Sequence, residues 1–343
     1  MKNYRTPLFS ILLTLTLACC SAPAQPADPL FNQALASYKA NNLEPAISMF
    51  KQVIAKNPRH AEAHFYLGSC YVKNKKHEAA VPLFEKAADL KPDYFDAHLA
   101  LGKSLNQLER FGEAADSLRE AVKIKPKDGE GFLHLGIAQR SGKDCQSAVE
   151  SFDKALRLDP KSGEATRHLG MCYVELGRSE EAQKTLERAV RLDPKDPLAH
   201  NSLAVIYQKT NRKPDAVRHF EEAVRLDPKY AEAHYNVGRL HFDAGDYHRS
   251  LPHFKTAAKL KTDWLDALHY LGENYLLVKE YDTAIPVFQK IVELDPKSDK
   301  GYYGLGLGYL GFGHKIQAET QHRKLVELRS PLAPKLLAKI KGR

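Results

Sequence analysis

What this sequence lacks narrows it first. Five cysteines occur in 343 residues, and no Cys-x-x-Cys pair or Cys/His ligand spacing connects them, so no zinc module is written into the chain. No Gly-x-Ser-x-Gly, His-Glu-x-x-His or phosphate-binding loop occurs, which leaves common hydrolase and nucleotide chemistries without a motif. Beyond residue 20 no apolar run is long enough to span a bilayer. No acid–base pair stands out from the charged background.

What is present is a period. Counting from Ala61, Leu67 and Gly68 stand at positions 7 and 8, Tyr71 at 11, Ala80 at 20, Phe84 at 24, Ala87 at 27 and Pro92 at 32. A shift of 34 returns Leu101, Gly102, Ala114, Leu118, Ala121 and Pro126, and a second returns Leu135, Gly136, Ala148, Phe152, Ala155 and Pro160. Pro58, Pro92, Pro126, Pro160, Pro194, Pro228 and Pro296 keep the same beat, with Thr262 and Ser330 in the two remaining places. A fixed period of this size marks stacked repeats and overrules the length prior of about two globular domains. Small residues at positions 8 and 20 let two helices approach closely. The large residues at positions 7, 11 and 24 fill the layer around that contact. Proline after the second helix stops it and turns the chain.

The pattern resembles the tetratricopeptide repeat, a pair of antiparallel helices per 34 residues. The family's Trp at position 4 is absent; Leu30, His64, His98, Phe132, Thr166, His200, His234, Leu268 and Tyr302 stand there. The resemblance implies an all-α, right-handed superhelical solenoid of about nine helix pairs plus a C-terminal capping helix. The repeats would run over 27–332, with starts near 27, 61, 95, 129, 163, 197, 231, 265 and 299. Residues 333–343 would form the cap and a basic tail, Leu332, Leu336, Leu337 and Ile340 facing the last repeat.

Residues 1–26 read as an export signal and tether. Lys2 and Arg5 precede an apolar core from Leu8 to Ala18 that is too short to span a membrane as a helix. Ala22-Pro23-Ala24 offers a cleavage site. Leu17-Ala18-Cys19-Cys20 also resembles a bacterial lipoprotein box, with Cys20 or Cys19 as the lipidated residue; an uncleaved anchor is the third reading. The protein is therefore expected outside the cytoplasm, periplasmic or envelope-associated if bacterial, touching a membrane only through its N-terminus.

Two segments invite a different outcome. Gly301, Gly304, Gly306, Gly308, Gly311 and Gly313 crowd the first helix of the ninth repeat. Each interior Gly costs about 1 kcal/mol against Ala, so this helix is expected to fray or to rely on its neighbours. Pro45, Pro82, Pro214, Pro252 and Pro286 fall near second-helix starts, where backbone N–H groups have no internal partner.

The net charge of +9 comes from cations scattered beside carboxylates, a solvated surface with a basic bias. Cys70 and Cys172 share one repeat position three units apart, about 30 Å if each unit adds ~10 Å, and cannot bridge. Cys145 and Cys172 could meet in principle, although their repeat positions differ. All three read as small core residues. His64, His98, His200 and His234 lie in different units and read as packing residues, too far apart to share a metal. No metal, cofactor or small-molecule substrate is expected, and no catalysis.

Binding surface remains. In the family, positions 2, 5, 9 and 12 of the first helices face a concave groove. Carried onto this chain, that rule selects Phe65, Leu99, Lys103, Leu133, Arg140, Arg167, Asn201, Tyr235, Arg239, His269 and Tyr303. Aromatic and Arg groups are the usual anchors of an interface, against the alternative that these residues pack on the next first helix. The expected function is a non-enzymatic scaffold that binds a peptide or protein segment in its concave groove and serves envelope assembly. Binding of a polyanion or nucleic acid through the basic surface is the less favoured reading, for want of a continuous basic stripe.

Overall fold

A computed structural model of the chain describes residues 28–342. Residues 1–26, which the sequence reads as an export signal and tether with Cys19 and Cys20, lie outside the described residues. The chain divides into two compact units, one ending at Pro92 and the other beginning at Asp93. All regular structure among the described residues is helical.

The first unit holds α1 (Pro29–Lys39), α2 (Leu43–Lys56), α3 (Ala61–Lys73) and α4 (His77–Leu90). The second begins with α5 (Phe95–Gln107), α6 (Phe111–Ile124), α7 (Gly129–Ser141), α8 (Cys145–Leu158), α9 (Gly163–Glu175) and α10 (Ser179–Leu192). It continues with α11 (Pro197–Lys209), α12 (Lys213–Leu226), α13 (Ala231–Asp243), α14 (Tyr247–Leu260), α15 (Leu265–Leu277) and α16 (Tyr281–Leu294). It closes with α17 (Asp299–Gly311), α18 (Lys315–Glu327) and α19 (Ala333–Ile340). Odd-numbered helices up to α17 are the first helices of their repeats, and each packs chiefly on the second helix that follows it.

The glycine at position 8 sets the closeness of that pair. A Cβ on Gly68 would lie 2.8 Å from the Phe84 ring, on Gly136 2.6 Å from Phe152, and on Gly238 2.9 Å from Phe254. The space is taken by the position-24 side chain of the second helix, rather than by the alanine at position 20. Phe50, Phe84, Phe152, Phe220, Phe254 and Phe288 are all fully buried at that place. Truncating one to Ala is expected to cost about 3–5 kcal/mol.

Between the two helices of a repeat the chain turns through a left-handed residue at position 15. Asn41, Lys75, Glu109, Lys143, Asn211 and Lys279 adopt it with φ between 58° and 67°. Asn suits this conformation; Lys and Glu carry a steric cost there.

Three prolines depart from expectation. Pro45 and Pro214 sit in the first turn of α2 and α12, but Pro82, Pro252 and Pro286 are the sixth residues of α4, α14 and α16. At that depth each removes a bond to the carbonyl four residues back. The helices nonetheless continue unbroken for two more turns, held by the apolar face they bury.

The glycine-rich helix α17 is also continuous. A Cβ on Gly304 would clash with Phe288, on Gly306 with Leu336, and on Gly311 with Tyr281. The glycines thus admit neighbouring side chains, and α17 takes its support from α16 and α19. Leu336 and Ile340 of α19 are buried, and Tyr302, Tyr303, Leu307 and Leu310 of α17 pack against the cluster they form.

Candidate interaction surface on the first helices

In the second unit the first helices also touch one another: α5 on α7, α7 on α9, α9 on α11, α13 on α15, and α15 on α17. No comparable contact joins successive second helices. The layer whose helices lie nearer together is the inner one, so the first helices form the inner wall of this unit.

Much of that wall is laced from one repeat to the next. Position 5 reaches the residue just before the next first helix. In the first unit the Phe31 ring stacks on His60 at 4.6 Å. In the second, Arg167 Nε donates to Asp196 Oδ2 at 2.8 Å, Tyr235 packs on Trp264 at 4.6 Å, and the His269 ring nitrogen lies 3.5 Å from Ser298 Oγ. The partner's position has its own duty: Asp196 Oδ1 accepts from the Leu198 N–H, and Ser298 Oγ accepts from that of Gly301. Both cap the helices they precede. Trp264 makes no side-chain cap and offers an indole face instead.

The remaining candidates fall into three settings. Lys103 Nζ donates to Glu130 at 2.6 Å and Arg140 to Glu175 at 3.1 Å, each across a repeat boundary. Asn201 Oδ1 accepts from Asn236 at 3.1 Å. Leu99 and Leu133 are half-buried, and Leu133 packs on the core cluster around Phe152. Phe65, in the first unit, packs on Tyr66 and Phe84. Tyr303 leans on the cluster of the closing helix. Arg167 is the largest departure from the expected groove anchor: its side chain is 10% exposed and its ion pair with Asp196 is a strut.

Arg239 differs from the other cations. No carboxylate lies within ion-pair distance of it among the described residues. Its Nε is buried without a hydrogen-bond partner, and its guanidinium stands 5.9 Å from the Tyr235 ring centroid. Tyr235 in turn belongs to an aromatic group with Phe242, Phe254 and Tyr270, in which Phe242 and Tyr270 are edge-on at 5.3 Å and Phe254 and Tyr270 stacked at 5.1 Å.

Electrostatics follow burial. The hydrogen bond from Lys103 holds the Glu130 carboxyl below the usual range. Burial, with Lys103 beside it, pushes His134 down to about 4. Burial beside Arg167 and Arg140 takes His168 to about 2.

The histidines at position 4 have a structural employment. Nε2 of His64, His200 and His234 lies 3.0, 3.2 and 3.2 Å from the carbonyl of Pro58, Pro194 and Pro228. Each donates to a turn carbonyl six residues back, and in the neutral ring this tautomer makes Nδ1 an acceptor. In repeats six and seven that Nδ1 accepts from a second histidine, His219 at 3.0 Å and His253 at 3.2 Å. These two pairs were not anticipated from the sequence. Their signal is a histidine 19 residues after the position-4 histidine, repeated at the 34-residue period. Burial and the facing histidine hold His219 and His253 near 4. Among the described residues no three His, Cys, Asp or Glu side chains converge to hold a metal.

Fold and wall together define an all-α repeat protein built from antiparallel helix pairs. Tetratricopeptide repeat models match residues 31–95, 76–129, 201–263 and 236–299, and a further one matches 141–206. The chain belongs to the tetratricopeptide repeat family. Solved structures share the fold at low identity. A tetratricopeptide repeat protein from Parabacteroides merdae is 16% identical with a TM-score of 0.59, covering 71% of this chain and 97% of its own. The Pseudomonas aeruginosa protein pilF is 21% identical with a TM-score of 0.54, covering 64% and 96%. The Cut9–Hcn1 assembly of the APC/C matches at 18% identity and a TM-score of 0.54, covering 92% of this chain and 63% of that one. A comparison with curated protein sequences gives no match. No helix among the described residues is long and apolar enough to cross a membrane.

Proposed function

We propose that the protein is an interaction scaffold, and that the inner wall of its second unit receives an extended or helical segment of a partner protein. The observation that carries this reading is Arg239. A buried guanidinium nitrogen without a partner is costly in a free surface, and here it stands beside Tyr235, whose ring packs on Tyr270; such groups anchor interfaces when desolvated. A preformed wall of stacked helices loses little conformational freedom on binding. The cations of the second helices are interleaved with carboxylates at three-residue spacing, as in Arg110–Glu113, Arg212–Asp215 and Arg225–Glu222. That interleaving favours a protein segment over a polyanion, since it leaves no continuous positive stripe. The N-terminal leader supports a place in the cell envelope, with a role in assembly there, held by a lipid on Cys19 or Cys20 or released by cleavage.

The test is site-specific photocrosslinking in the native host. A crosslinker at Tyr303 or Lys103 on the inner wall should capture one discrete partner, and one at Lys255 on a second helix should not. Arg239→Glu should reduce the Tyr303 crosslink at least tenfold while the helical circular dichroism spectrum stays unchanged. Equal capture from Lys255, or no effect of Arg239→Glu, ends the reading. Intact mass of the mature chain decides between lipid, cleavage and retained leader.

A further inference from the structure

We propose that Cys145 and Cys172 are a redox dithiol that closes into a disulfide between the fourth and fifth repeats when a disulfide oxidant such as oxidised glutathione is supplied. This inference stands apart from the interaction reading and survives its failure.

Cys145 opens α8 and Cys172 lies on α9. Cys145 is 5% exposed and Cys172 fully buried, in one apolar cluster with Phe152 and Leu169. Both thiols belong to that one buried cluster across the repeat boundary, and Glu175, which Cys145 touches, lies one turn beyond Cys172 on α9. Cys145 Sγ–H also donates to Glu175 Oε2 at 3.0 Å, and the other oxygen of that carboxylate accepts from Arg140 at 3.1 Å.

Repeat register explains the encounter. Position 17 of one repeat faces position 10 of the next. In the first unit those places hold Leu43 and Cys70, which pack in one cluster. Cys70 therefore meets a leucine. Of the successive repeats, only the fourth and fifth place cysteine at both positions. The difference in repeat position that argued against pairing is what brings the two together.

The chemistry balances with the oxidant named. One cysteine thiolate attacks a sulfur of oxidised glutathione, forming a mixed disulfide and releasing one glutathione thiolate. The second cysteine thiolate attacks the protein sulfur of that mixed disulfide, closing the Cys145–Cys172 bond and releasing the second glutathione. Two electrons pass from the cysteines to glutathione, and the two cysteine protons end on the two released thiols. Burial raises Cys172 to about 11 and Cys145 further. Exchange therefore waits on local opening of the repeat boundary and quickens as pH rises. Closure removes the S–H donor from Glu175, leaving that carboxylate to Arg140 alone on the inner wall.

The experiment uses the full, folded chain. It is incubated at pH 8 with oxidised glutathione, alkylated under denaturing conditions, digested and mapped by mass spectrometry. The expected product is a peptide pair joined through Cys145 and Cys172, lighter by two hydrogens, with Cys70 alkylated as before. The Tm should rise by about 5 °C, because the link restricts the unfolded chain. Dithiothreitol should reverse both changes, and Cys145→Ser should abolish the rise. Separate alkylation of Cys145 and Cys172 after exhaustive oxidation overturns the proposal. So does a link from either to Cys19, Cys20 or Cys70, or a link that forms only in urea. The wild-type map needs no variant, so a misfolded Cys145→Ser leaves the test intact.

Discussion

Repeats three to six and repeats seven to nine solve one problem with different chemistry. In both, the inner wall must be tied from each first helix to the next. The earlier stretch ties it with polar groups: Lys103 to Glu130, Arg140 to Glu175, Arg167 to Asp196, and Asn236 to Asn201. The later stretch adds rings, Tyr235 on Trp264 and Tyr270, to one polar contact between His269 and Ser298, and leaves Arg239 without a carboxylate. Polar ties occupy part of the groups they use: Arg140 keeps a buried Nε without a partner, as Arg239 does, but its Nη1 is held by Glu175. Rings hold the wall together through their faces and still offer edges. Under the proposed function, the contrast favours the C-terminal part of the wall as the receiving surface, although the same repeat positions are used throughout.

The strongest test of the contrast is removal of one tie from each stretch. Arg167→Ala leaves the Asp196 carboxylate, 15% exposed, without its cation. That should cost about 3–5 kcal/mol in the local opening of α9 and α11 measured by hydrogen exchange. The double variant Arg167→Leu/Asp196→Asn should recover most of the loss, because Asn still caps α11. Tyr235→Ala should cost less, about 2–3 kcal/mol, since this ring is half-buried and leaves no orphaned charge. Its signature is optical: Trp264 is the only tryptophan, and its emission should shift to the red. Equal losses from both, both recovered by salt, would erase the distinction between polar and aromatic ties.

The fold was legible because it rests on what repeats. Gly68, Gly102 and Gly136 recur because the position-24 side chain, Phe84, Leu118 or Phe152, needs their missing Cβ, and Pro58 to Pro296 recur because each turn needs the same stop. The wall was less legible because its ties depend on which residues happen to meet across a boundary. Arg167 looks like an interface anchor until Asp196, 29 residues on, is found beside it. The family rule aims position 5 at the groove, but it does not say what the next helix start offers. The histidine pairs escaped for a related reason. His200 and His219 lie on the two helices of one repeat, whereas the shared position-4 histidines lie on different repeats. Pro82, Pro252 and Pro286 were placed one turn too early because helix starts are the least certain feature of a sequence.

Acid should separate α9 from α17 by a third route, although the later stretch also holds a lowered histidine in His253. His168 on α9 is held near 2 and His134 on α7 near 4, against about 6.5 in the unfolded chain. Below pH 6.5 the unfolded state binds protons that the folded state refuses, so stability falls as pH drops through 6.5 toward 4. Each such histidine contributes a slope of at most about 1.4 kcal/mol per pH unit. The α17 helix contains no histidine. Hydrogen exchange at pH 5 against pH 7.5, corrected for intrinsic rates, should show α9 losing more protection than α17. His168→Phe should narrow the gap, since a second ring keeps the stack on Phe152. A gap unchanged by that substitution would assign the acid response elsewhere.

The smallest effect is a control that should not distinguish the stretches at all. Lys143 and Lys279 occupy the same left-handed corner, at φ 67° and 64°. Their backbone bonds correspond: Lys143 N–H to Arg140 at 2.9 Å and Lys279 N–H to Leu276 at 3.1 Å. Glycine at either place relieves about 1 kcal/mol of steric cost and returns part of it as unfolded-chain entropy. Lys143→Gly and Lys279→Gly should therefore each stabilise by about 0.5 kcal/mol, equally and without salt dependence. A gain at one corner only would mean that the turns, and not just the wall, differ between the two stretches. The division would then extend through the whole repeat, and the choice of Arg239 as the anchoring residue would need a cause beyond the missing carboxylate.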